Sequence, residues 1–109
     1  MDTVLYSQPE ILPQFPGGES KLQDFISANI NYPTRAQKKG NVGTSYISFI
    51  VDETGAVANI RIFKGIPGCE ACDEEAVRVV KQMPKWEPGK QDDKVVPVQY
   101  VLPVKFSLK

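Results

Sequence analysis

Apolar positions along the chain follow a helical period first and a two-residue period later. From Ser20 onward, Leu22, Phe25, Ile26 and Ile30 recur at helical spacing and make one apolar face, and Gln23 stands three residues after Ser20 as a capping box requires. Pro33 suits the first turn of a second, short helix over 34–39, where a missing N–H costs nothing, and Gly40 suits the left-handed position that stops it. The period then changes to two. Residues 44–51 put Ile47, Phe49 and Val51 on one face, and residues 56–63 put Ala58, Ile60 and Ile62 on another. Asp52-Glu53-Thr54-Gly55 joins them as a hairpin loop in which Gly55 supplies a positive φ.

After the break at residues 65–68, Cys72, Ala76, Val79, Val80 and Met83 return to helical spacing. Glu70, Asp73, Glu74 and Glu75 crowd the start of that helix and Lys81 and Lys85 its end, the polarity the helix dipole favours, and Pro84 terminates it. A turn-rich connector over 86–93 leads to a last strand over about 94–106, with Val96, Val98, Tyr100, Leu102, Val104 and Phe106 on one face. The expected fold is α+β: a three-stranded antiparallel sheet in the order 2-1-3 with two main helices on one face. A mixed sheet with the third strand beside the second is the alternative. Residues 1–19 hold no apolar period and read as a lead that turns onto the fold at Phe15-Pro16-Gly17-Gly18, with the domain proper over 20–109.

Composition removes several classes of function. Thirteen Lys plus Arg balance thirteen Asp plus Glu, so no net field gathers nucleic acid, and the groups Arg35, Lys38, Lys39 and Arg78, Lys81, Lys85, Lys90 read as solvated helix ends. No histidine is present, which excludes Ser-His and Cys-His nucleophiles and His-bearing zinc sites. The acid pairs Asp52/Glu53, Glu74/Glu75 and Asp92/Asp93 read as solvated charges, and the 65–68 run lacks the lysine and glycine spacing of a phosphate loop. No cofactor or small-molecule substrate is therefore expected. No run approaches 18 apolar residues and no signal-peptide order is visible, as expected of a soluble chain or of the exported part of a longer precursor.

Cys69 and Cys72 form a CxxC at a helix start. The surrounding acids raise a thiol's pKa and Cys72 lies on the core stripe, which favours a local disulfide or a packed thiol pair over dithiol exchange. Trp86, between Pro84 and Pro88-Gly89, reads as a structural plug at the rim of the core, and Tyr32 beside Pro33 as similar. In the last strand, Pro97 and Pro103 share odd parity with Gln99, Val101 and Lys105. Because proline cannot donate, the odd side is expected to be the free edge, with Val98, Tyr100, Leu102 and Val104 pairing inward.

The strings Tyr32-Pro33 with Ala36, Gly43 before a strand, Phe49-Ile50-Val51 with Gly55, Asp73-Glu74-Glu75-Ala76, and Met83-Pro84-Lys85-Trp86-Glu87-Pro88-Gly89-Lys90 resemble the C-terminal domain of the TonB family of energy transducers. The leading Phe15-Pro16-Gly17-Gly18 resembles the Bacteroidetes-type members in particular. The resemblance spans 13–108 and implies a non-enzymatic periplasmic domain, anchored to the inner membrane in the full-length protein. Such a domain binds an N-terminal segment of an outer-membrane transporter as an added strand on its last strand. Here that edge is Gln99, Val101 and Lys105. Neither an anchor nor a proline-rich spacer stands in these 109 residues, so a free-standing adaptor or scaffold that dimerises through the same edge is the competing expectation, and a dithiol redox protein a further one.

Overall fold

The computed structural model describes residues 5–107. Helix α1 spans Glu19–Asn29, α2 Thr34–Lys39 and α3 Glu70–Lys81; the strands are β1 Gly43–Val51, β2 Val57–Lys64, β3 Gly89–Gln91, β4 Lys94–Val96 and β5 Val98–Phe106. β1, β2 and β5 form one antiparallel sheet in the order β2-β1-β5, which is the expected 2-1-3 order and excludes the mixed alternative. The two longer helices, α1 and α3, pack against it. Ile47, Phe49 and Val51 of β1 are fully buried between Leu22 and Ile26 of α1, Cys72, Ala76, Val79 and Val80 of α3, and Leu102, Val104 and Phe106 of β5.

Three expectations change at the level of local geometry. α1 begins at Glu19, one residue early, and its N-cap is Gly18, which has no side chain to offer; Gln23 Nε2 instead donates to Glu19 Oε2 at 3.0 Å. The capping box of Ser20 and Gln23 is therefore not formed. The last strand is not continuous from 94: it breaks at Pro97, and β4 before the break pairs with β3, part of what reads as connector. Proline removes the donor there and lets the chain leave one ladder for another.

The third change lies in β2. Its register with β1 slips between Ser48↔Arg61 and Ile50↔Ala58, where Asn59 takes φ 49°, and slips again between Tyr46↔Lys64 and Ile47↔Ile62. An extra residue in one strand reverses the alternation beyond it. Val57 and Ile60 consequently pack against the core, whereas Ala58 falls opposite Ile50 on the other face, so the expected stripe of Ala58, Ile60 and Ile62 is broken.

Two acids of α3 hold the fold together, one of which, Glu75, is expected from the sequence to be solvated. Asp73 is 8% exposed; its Oδ1 accepts from Ser45 Oγ at 2.6 Å and from the Ile66 N–H at 3.0 Å, tying α3 to β1 and to the loop after β2. A Cβ on Gly65 would stand 2.2 Å from Asp73 Oδ2, so the loop needs glycine at that point. Glu75 forms a forked ion pair with Arg78, Nε to Oε1 at 2.7 Å and Nη2 to Oε2 at 2.6 Å, while Arg78 Nη2 reaches the Asn29 carbonyl and Glu75 Oε2 accepts the Asn31 N–H. The pair stitches the end of α1 to α3, and the Arg78 hydrogen bond holds the Glu75 carboxyl below its ordinary pKa.

Candidate functional site

The candidate site is the outer edge of β5. Its register with β1 runs without a slip from Val51↔Val98 to Gly43↔Phe106. Side chains alternate strictly: Val98, Leu102, Val104 and Phe106 are buried and Tyr100 is half-buried, while Gln99, Val101, Pro103 and Lys105 are exposed. The direction of the backbone groups is given by the lead. Gln99 donates its N–H to the Tyr6 carbonyl at 2.8 Å, and the Pro97 carbonyl accepts the Tyr6 N–H at 3.1 Å. Odd positions thus address the side away from β1. Gln99 is already engaged there by the chain itself, and no bond outside the sheet ladder reaches the Val101 or Lys105 amide among the described residues. Pro103, between them, has no N–H to offer.

Two grooves follow this edge. One lies between the lead and the strand, lined by Ser7, Pro9, Leu12, Gln99, Tyr100 and Val101. The other lies where α1 borders the strand end, lined by Gln23, Ile26, Ile30, Tyr46, Pro103 and Lys105. Gln99 Nε2 also donates to Ser48 Oγ at 3.1 Å across the open face of the sheet.

Tyr100, which lines the first groove, belongs to an aromatic cluster. Trp86, 3% exposed, meets Tyr100 at 5.1 Å between ring centroids, Phe49 at 5.5 Å and Phe15 at 5.7 Å, all at steep interplanar angles. Such edge-to-face contacts add to the burial of large rings and fix their orientation. The Trp86 indole N–H has no acceptor among the described residues. Trp86 is located by its backbone: its N–H donates to the Gly55 carbonyl at 2.8 Å, and a Cβ on Gly55, at φ 89°, would stand 1.9 Å from the Trp86 carbonyl oxygen. Burial raises the pKa of Tyr100, with the Glu19 charge adding to it, so its phenol stays neutral across the physiological range.

Tyr32 and Pro33 lie at the far end of β5. The Tyr32 hydroxyl donates to the Asn41 carbonyl and its ring meets Phe106 edge-on at 5.4 Å, while Pro33 occupies the N-cap of α2 just ahead of its first residue. Cys69 and Cys72 are joined by a disulfide in the first turn of α3; both are buried, and Cys69 Sγ also accepts the Cys72 N–H. No cluster of His, Cys, Asp and Glu among the described residues could hold a metal ion, and no helix among them is long and apolar enough to cross a membrane.

The lead carries the contribution that reading by period missed. Phe15 is buried against Phe25 and Trp86, and Ile11 and Gln14 each exchange two backbone hydrogen bonds, with Lys90 and Glu87 respectively. The signal in the sequence was composition: Val4-Leu5-Tyr6 is a β-prone run, and Ile11, Leu12 and Phe15 are apolar without being periodic.

Comparison with known proteins agrees with this geometry. No curated protein sequence matches the chain. Two solution structures of the Helicobacter pylori TonB C-terminal domain, a shorter and a longer form, match at 26% identity over 83% of this chain, with TM-scores of 0.61 and 0.62 and coverage of 92% and 79% of their own lengths. The solution structure of the Pseudomonas aeruginosa TonB C-terminal domain, at 21% identity and a TM-score of 0.51 over 73% of this chain and 81% of that one, shares the fold. The family described as Gram-negative bacterial TonB protein C-terminal matches residues 28–108. The chain belongs to that family, whose members are non-catalytic protein-interaction modules of the periplasm.

Proposed function

We propose that this domain binds a short N-terminal segment of an outer-membrane transporter as an additional strand on the outer edge of β5, and so passes on energy from an inner-membrane anchor in the full-length protein. The observation that carries the reading is the unbroken nine-residue register of β5 combined with outward donors at Gln99, Val101 and Lys105. A guest strand needs a straight ladder, and its affinity comes from main-chain bonds while neighbouring pockets supply selectivity. Pro97 and Pro103 limit the ladder to a short window, so binding is modest and reversible. The leading Phe15-Pro16-Gly17-Gly18 further supports a Bacteroidetes-type member, with 20–109 as the domain proper.

Amide-exchange and chemical-shift mapping with a transporter N-terminal peptide tests this. Protection is expected at Val101 and Lys105. Val101→Pro is expected to remove binding while the folded spectrum persists, because that N–H faces outward. Protection along β2 instead would overturn the assignment, and a doubling of solution mass with no peptide effect would favour self-pairing through the edge.

A further inference from the structure

The lead is held to the body of the domain in two unequal ways. Its root, Ile11 to Phe15, is fixed by the paired bonds to Lys90 and Glu87 and by burial of Pro13 and Phe15. Its tip is fixed by a single parallel bridge of Tyr6 to Val98, made of the Tyr6 N–H to the Pro97 carbonyl and the Gln99 N–H to the Tyr6 carbonyl. The chain leaves the edge immediately afterwards, through bends at Ser7 and Gln8 to the buried Pro9. Leu5, on the other side of the bridge, is exposed and borders the open face of the sheet beside Ser48, Ile50, Arg61 and Gln99.

The tip therefore occupies the first outward donor of the β5 window and the carbonyl next to it, held by those two bonds and by a partly buried Tyr6 side chain. Exposed strand edges pair with any compatible segment, and a tethered segment is always at hand to do so. We propose that the Tyr6 segment is a resident edge strand, an autoinhibitory strap that must leave before a guest can use Gln99. A guest begins at Val101 and Lys105, which are open, and completes its ladder by displacing Tyr6. Its apparent affinity is lowered by the fraction of molecules in which the strap is closed. The identity of the guest rests on the function proposed above; the closure of the edge by the strap does not.

Tyr6→Pro in the full chain removes the donating N–H and leaves the rest of the lead in place. Gln99 amide exchange is expected to rise at least about ten-fold, while the inward amides of Leu102 and Val104 stay protected and report an intact fold. A transporter N-terminal peptide is expected to bind the variant several-fold more tightly. An unchanged Gln99 exchange rate, or equal peptide affinity for both proteins, would overturn the strap. A second probe separates the two ideas: a synthetic peptide copying residues 3–9 of this chain, at millimolar concentration, should shift the Val98 and Gln99 signals of the variant and not those of the unaltered protein. If the transporter peptide binds neither protein but this peptide behaves as stated, the transporter reading fails and the strap stands. An equal response of both proteins to it, or of neither, refutes the strap.

Discussion

The sheet ends in two outer strands, β2 and β5, and they are protected from stray pairing in different ways. β2 is bent: it bulges twice against β1, carries Asn59 at positive φ, and leaves Ile62 and Phe63 exposed, the latter at 66%. β5 is straight, keeps one register for nine residues, and is protected by withdrawn donors at Pro97 and Pro103 and by the Tyr6 bridge. A bulge spoils the spacing of every outward group around it, so no extended strand can follow that edge. A missing donor spoils only one position. On the function proposed above, the straight edge accepts a guest over a chosen window and the bent one does not, although the bent one exposes more apolar surface.

The largest way to break this contrast is to remove what keeps β5 flat against the core. Trp86→Ala deletes the ring shared by Phe15, Phe49 and Tyr100, and is expected to cost about 3–5 kcal/mol, measured as a shift in the denaturant midpoint. An unchanged midpoint would mean that the ring contributes nothing to the support of β5. A smaller effect is expected on the opposite edge. Asn59→Val places a β-branched residue at φ 49° and should destabilise by about 1 kcal/mol despite the higher strand propensity of valine. A gain in stability there would show that the bulge is dispensable and that β2 can straighten.

The smallest effect concerns acid. Thr54 hydrogen bonds depress the pKa of Asp52 in the β1–β2 loop, and the Arg78 hydrogen bond depresses that of Glu75. Each lowered carboxyl adds stability that is fully present above its ordinary value, 3.8 for Asp52 and 4.5 for Glu75, and that is lost as pH falls through that value toward the folded one. Unfolding midpoints should therefore be flat near neutrality and decline below about pH 4.5, with Glu75→Gln reducing the decline. Identical acid profiles for the two proteins would remove Glu75 from the account.

Much of this is legible in the sequence. The buried stripes of α1, α3, β1 and β5 follow from apolar period, because a helix or strand with one apolar face has few ways to hide it. The outward parity of β5 was legible from two prolines, because the lack of an N–H is a property of the residue and not of its surroundings. The stripe of β2 was misread because a bulge adds a residue without leaving a compositional mark stronger than one asparagine. The reading of Glu75 as solvated fails as well, and the buried role of Asp73 is not legible: an acid at a helix start looks the same whether water or Ser45, Ile66 and Arg78 surround it.

By itself, then, the sequence determined the class of fold, the order of the sheet, the absence of histidine chemistry and which positions of the last strand face away from β1. Tertiary structure alone decided where β4 parts from β5, which acids are buried, and that the lead returns to occupy Gln99. The physical reason is separation along the chain. Period, propensity and proline act within a few residues and are written locally, whereas the contacts of Tyr6 with Pro97 and Gln99 join groups about ninety residues apart and exist only once the sheet has brought them together.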